Sequence, residues 1–140
     1  MKPRRVLQQD ATGCGIACAA MIAGVSYAYA KAIAIELGLI EKSGSQYTTS
    51  RKLIRLLAEL DVIALTGRKL KHWESVDCLS IVGINYRPNH EIWHWVVYVP
   101  DDKIGYVLDP RRIVKSSKRV DFTRMRPRSY IPVTHSKNSS

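Results

Sequence analysis

Apolar positions along the chain fall into two regimes. Up to residue 60 they recur at helical spacing or gather in small-residue runs. Cys14–Ala23 is one such run, led by Gly13, and Ala28–Leu37 is a second, rich in Ala and Ile, with Gly38 as its stop. Gly44–Ser45 marks a loop. Thr49 or Ser50 then caps a third helix, in which Leu53, Ile54, Leu57 and Leu60 form an apolar stripe.

After Asp61 the pattern changes. Val62–Leu65, Leu79–Tyr86, Trp93–Val99 and Ile104–Leu108 are short runs of β-branched and aromatic residues separated by turn formers, and Tyr130–Val133 adds a last strand. Pro100–Gly105 has the chemistry of a hairpin loop. Helices first and strands later predict an α+β domain, its helical half packed against an antiparallel sheet and a cleft between the two. Residues 1–134 read as one domain and 135–140 as a flexible end.

Composition changes this picture little. The 140 residues suffice for one core, and 46% apolar with 24% charged residues is globular usage. No apolar run approaches the roughly 18 residues of a membrane span. The first fifteen residues are basic but lack the apolar stretch of a secretory signal. Three cysteines are an odd count, too few for a disulfide framework, and fit a reducing, cytoplasmic setting or a reactive thiol.

Charge is uneven. The net value is +10, and residues 111–140 carry nine Lys/Arg against one acid, Asp121. This basic segment reads either as a solvated, partly disordered tail or as a docking patch. With only Phe122 and Tyr130 to stack on bases, nucleic acid is not the expected partner.

The candidate chemistry centres on Cys14, set between Gly13 and Gly15 at the start of the first helix. Unpaired N–H groups and the positive dipole end there favour a nucleophilic thiolate, and flanking glycines leave room for a substrate backbone. Cys18 and Cys78 read as packing residues. In the strand 92–99, Ile92, His94, Val96 and Tyr98 share one face and Trp93, Trp95, Val97 and Val99 the other. His94 is the candidate base; His90 is a weaker rival, and His72 and His135 lie in less ordered settings. Asp109 follows the next strand. A hairpin centred between 101 and 102 sets it opposite His94, where a carboxylate fixes the imidazole tautomer. Gln8, six residues before Cys14, is placed to donate to an oxyanion, with Gln9 as its neighbour and rival. Cys14 and Cys18 lack a convincing set of further ligands for zinc, so neither metal nor cofactor is expected.

Gln8, the run Gly13 to Met21, His94-Trp95-Val96-Val97 and Leu108-Asp109-Pro110 together resemble the double-glycine peptidases, papain-like cysteine peptidases best known as N-terminal domains of bacteriocin-exporting ABC transporters. The resemblance is at the level of motifs and spans residues 8–110. It implies Cys14 as nucleophile, His94 as base and acid, Asp109 as orienting carboxylate and Gln8 as oxyanion donor. It also implies a protein or leader-peptide substrate cut after Gly-Gly. Two departures stand out. Gly13 replaces the acidic residue common before the cysteine, and the transporter's membrane helices are not in this sequence, as expected of either a cut domain or a free-standing peptidase. A free-standing module of this kind resembles bacterial toxins and effectors, which act inside a target cell and are held in check by an immunity or inhibitor protein. Two other readings use the same features: a glutamine deamidase or transglutaminase-like modifier with the same triad, and a non-catalytic basic domain binding a peptide or nucleic acid.

Overall fold

The structure, a computed structural model, describes residues 2–102 and 104–136. Helix α1 (Cys14–Ala23) is buried along its whole length. Its Ala, Gly and Cys residues let neighbours approach from every side, so it carries no polar face. It packs on α2 (Tyr27–Glu36) and α3 (Ser50–Glu59). Gly24, at φ 72°, closes α1 in the left-handed conformation that glycine tolerates. Ser26 accepts from the Tyr29 N–H to cap α2, and Thr49 accepts from the Lys52 N–H to cap α3.

The sheet comprises β1 (Val62–Ala64), β2 (Arg68–Lys69), β3 (Ser80–Arg87), β4 (Ile92–Val99), β5 (Tyr106–Leu108) and β6 (Pro127–Ser136). All its pairs are antiparallel, in the order β1-β6-β3-β4-β5, with β2 also pairing β6. Helices and sheet are segregated, as an α+β domain requires.

Two expectations need correction, and two further features were not foreseen. First, the basic segment is no loose tail. Residues 127–136 form a strand between β1 and β3, and Ile131 is fully buried opposite Ile81. Of residues 135–140, His135 and Ser136 pair with Ile63 and Val62, and 137–140 lie outside the described residues.

Second, β5 starts at Tyr106, and Ile104 is exposed in the turn. The pairs Val97↔Leu108, Tyr98↔Val107 and Val99↔Tyr106 shift the hairpin by two residues from the expected register. His94 and Asp109 are therefore diagonal rather than opposite. Because side chains alternate with a period of two, an even shift keeps both on one face.

Third, both faces of the sheet are covered. Trp95, Val97 and Val99 pack with the helices, whereas Val82, Val96, Tyr98 and Val107 form a second cluster with Leu70, Val76 and Met125. Trp73 and Phe122, from two 3-10 turns, lean against that cluster. Strands buried on both faces are apolar without alternation, as β4 is.

Fourth, the dipeptide strand β2 and the two 3-10 turns have no counterpart among the predicted elements. Among the described residues, no single helix is long and apolar enough to cross a membrane.

Candidate active site

Cys14 opens α1 and is 5% exposed. No side chain caps this helix end, so its first N–H groups are left for other acceptors. The thiol meets the sheet at β4, where the Trp95 backbone N–H donates to Cys14 Sγ at 3.4 Å. Trp95 is in turn fixed by its indole N–H, which donates to the Thr48 carbonyl at 3.0 Å.

The glycines beside Cys14 serve the protein's own packing. A Cβ on Gly13 would land on the Tyr27 hydroxyl, and one on Gly15 on Thr48 Oγ1. The space expected for a substrate backbone is thus occupied by side chains. Tyr27 donates to Asp10 Oδ2 at 2.5 Å, and Lys31 pairs with the same carboxylate at 3.0 Å. Burial and the Asp10 hydrogen bond push the Tyr27 hydroxyl well above its ordinary range, so it remains a donor. This latch holds the turn that leads into Cys14. It also gives a physical reason for glycine at position 13.

His94 and Asp109 are brought together. His94 Nε2 lies 2.7 Å from Asp109 Oδ1, with the imidazole 8% exposed and the carboxylate fully buried. Burial pushes the Asp109 carboxyl up, but bonding and charge from His94, the Arg111 N–H and Arg119 outweigh it and hold it at about 2. An ionised carboxylate can only accept, so Nε2 carries the proton and Nδ1 is the nitrogen left for Cys14. Burial pulls the His94 imidazole down, while hydrogen bonds to Asp109 and then Cys14 more than offset it, leaving its value raised. Cys18 is fully buried on α1, and desolvation keeps it a thiol.

Gln8 is close but differently engaged. Its Nε2 donates to the carbonyls of Asp10 and Ala11, both at 3.0 Å, and its backbone N–H donates to Pro110 at 2.9 Å. The side chain thus braces the turn before Cys14. Its Oε1 is buried with no hydrogen-bond partner among the described residues. Gln9 is exposed and His90 lies in an exposed turn, so neither rival fits the site better.

A cavity of about 310 Å³ adjoins the site. Thr48, Trp93, Trp95, Tyr47 and Lys52 are among its walls. Tyr98 is not, because its ring stacks near Trp73 and covers Gly105 in the second cluster.

The residue missed from the sequence is Arg119. Its Nη1 donates to Asp109 Oδ2 at 2.7 Å, from a segment that read as a solvated tail. The sequence signals only its pairing with Asp121, the one acid in that basic stretch, two residues on, and not its contact with Asp109.

No protein-family model matches the chain. No curated protein matches it either. Solved structures do. The peptidase domain of Streptococcus ComA, a bi-functional ABC transporter of a quorum sensing pathway, superposes with a TM-score of 0.65 at 19% identity, over 94% of this chain and 97% of that one. A double glycine motif protease from an AMS/PCAT transporter, solved in complex with the leader peptide, gives 0.63 at 19% identity, over 94% and 91%.

Proposed function

We propose that the chain, which has the fold of the double-glycine peptidase domains, is a cysteine peptidase cutting a protein or leader peptide after Gly-Gly, with Cys14 as nucleophile. The observation that carries the reading is a buried His94–Asp109 pair at 2.7 Å set beside the Cys14 thiol at the head of α1.

In the forward step Cys14 Sγ gives its proton to His94 Nδ1 and bonds to the scissile carbonyl carbon. The carbonyl electrons move to oxygen, within reach of the free N–H groups at the start of α1. Collapse of the adduct breaks the C–N bond, and the imidazolium gives its proton to the departing amine. A thioester on Cys14 remains. His94 then takes a proton from water, the hydroxide adds, and the acid product leaves with the thiol restored. Asp109 stays ionised throughout and holds the imidazole in one tautomer.

Gln8 joins the oxyanion donors when its amide turns from the Asp10 and Ala11 carbonyls toward the substrate. The Gly-Gly preference is supported by crowding. Cys14 and His94 are both less than a tenth exposed, and a backbone without side chains reaches them with least displacement of Thr48 and Trp95. The neighbouring cavity is suited to residues before the glycines.

The test compares wild type with Cys14→Ala on a cell extract and on synthetic peptides containing Gly-Gly, mapping new N-termini by mass spectrometry. Termini following Gly-Gly that vanish in the variant are expected. A Cys14-dependent gain of about one mass unit on a glutamine, without cleavage, would instead identify a deamidase.

A further inference from the structure

The imidazole uses one oxygen of Asp109. The other, Oδ2, accepts from Arg119 Nη1 at 2.7 Å, and the carboxylate side of this ion pair is fully buried. Arg119 is itself held firmly. Its backbone bridges to Val107 of β5, with N–H to carbonyl distances of 2.9 and 2.8 Å. Its Nε and Nη2 donate to the two oxygens of Asp121 at 2.9 and 2.7 Å, in the fork geometry that a planar guanidinium matches. The cation is thus clamped between a half-exposed carboxylate and a buried one.

We propose that Arg119 is the positioning residue of this site: it occupies Oδ2 of Asp109 and balances its charge, so that Oδ1 is presented to His94 in one orientation. Only the kinetic consequence rests on the peptidase reading. The groups around the His94–Asp109 pair are Cys14 from α1 on the His94 side and, toward the carboxylate, Cys18 from α1, the Arg111 N–H, and Arg119 with Asp121 behind it. Arg5 Nε donates to the Asp109 backbone carbonyl at 2.6 Å, and so holds the turn rather than the carboxylate. Without the guanidinium, a buried carboxylate keeps its charge with one side uncompensated. The nearest group able to restore balance is His94, by holding its proton more tightly.

The experiment titrates the His94 imidazole by nitrogen-15 NMR in wild type, Arg119→Met, Arg119→Gln and Arg119→Lys, with the signal assigned by its loss in His94→Gln. Arg119→Gln keeps a hydrogen-bond donor in place, so it reports if Arg119→Met does not fold. Both neutral variants are expected to move the His94 titration to higher pH, and Arg119→Lys to hold it near wild type. Cleavage follows: kcat per alkylatable Cys14 falls roughly ten- to a hundredfold in the neutral variants, with KM near wild type. A His94 titration that stays in place or moves down overturns the proposal, whatever the stability of the variants. So does an upward move with kcat per site unchanged. If wild type cleaves nothing, the peptidase reading fails while the imidazole titration still decides the role of Arg119.

Discussion

His94 Nε2 and Asp109 Oδ1 are 2.7 Å apart across two antiparallel strands, although 15 residues separate them in the chain. The bond fixes which ring nitrogen carries the proton. Asp109→Asn removes the charge and puts an NH2 where one acceptor oxygen stood, so the tautomer is no longer selected, and it is expected to lower kcat roughly 10²–10⁴-fold with KM changed little. Steady-state kinetics normalised to alkylatable Cys14 check this.

The same carboxylate links stability to pH. Its folded-state value, about 2, lies below the ordinary 3.8, so its contribution is complete above about pH 4 and is lost as pH falls toward 2. About 2 kcal/mol of unfolding free energy should disappear across that window. Urea unfolding between pH 5 and pH 2 measures it, and Asp109→Asn should flatten the slope. His94 has the opposite sign. Raised in the fold, it stabilises at low pH, and that contribution is lost as pH rises through its folded value.

Gly13 and Tyr27 form a coupled pair. Gly13→Ala places a methyl group on the Tyr27 hydroxyl and should destabilise by about 1–3 kcal/mol, through overpacking and a disrupted bond to Asp10. In Tyr27→Phe the obstructing oxygen is gone, so the same substitution should cost clearly less. A double-mutant cycle by urea unfolding measures the coupling, and additive losses would refute the latch.

Gln8 braces the turn before Cys14, and substitution tests whether it also serves the oxyanion. Gln8→Ala removes both donors to the Asp10 and Ala11 carbonyls and should lower stability by about 1–2 kcal/mol. If the amide also turns to the oxyanion, kcat should fall roughly 10²–10³-fold per folded site. Gln8→Glu keeps the shape but offers oxygens where donors are needed, and should lose activity to a similar extent. Unfolding and kinetics on the same preparations distinguish bracing alone from bracing plus catalysis.

Much of the fold was legible because helices and strand β4 are specified locally. Thr49 caps α3 as expected, and the run Trp93–Val99 reads as a strand from its residue types alone. The hairpin register was not legible, because Ile104 has strand character yet sits in the turn, where loop length overrides propensity. β6 was underestimated for a related reason. Its Arg128 and two prolines mask a strand whose pairing partners lie far away in sequence. Cys14, His94 and Asp109 could be proposed from motif spacing. Arg119 could not, because an ion pair to a buried carboxylate depends on the Val107 bridge, which no spacing rule encodes.

The placement of β6 sets an order of events during synthesis. β1 and β2 pair only with residues 129–136, and β3 gains its second neighbour from the same stretch. A nascent chain that has already made Cys14, His94 and Asp109 therefore holds half a sheet, with the β3 edge open. It also lacks the guanidinium that neutralises Asp109. Long-range pairing of this kind completes late, after the intervening loop entropy has been overcome. The His94–Asp109 pair therefore reaches its final surroundings only when Arg119 and the residues of β6 are available to fold with it.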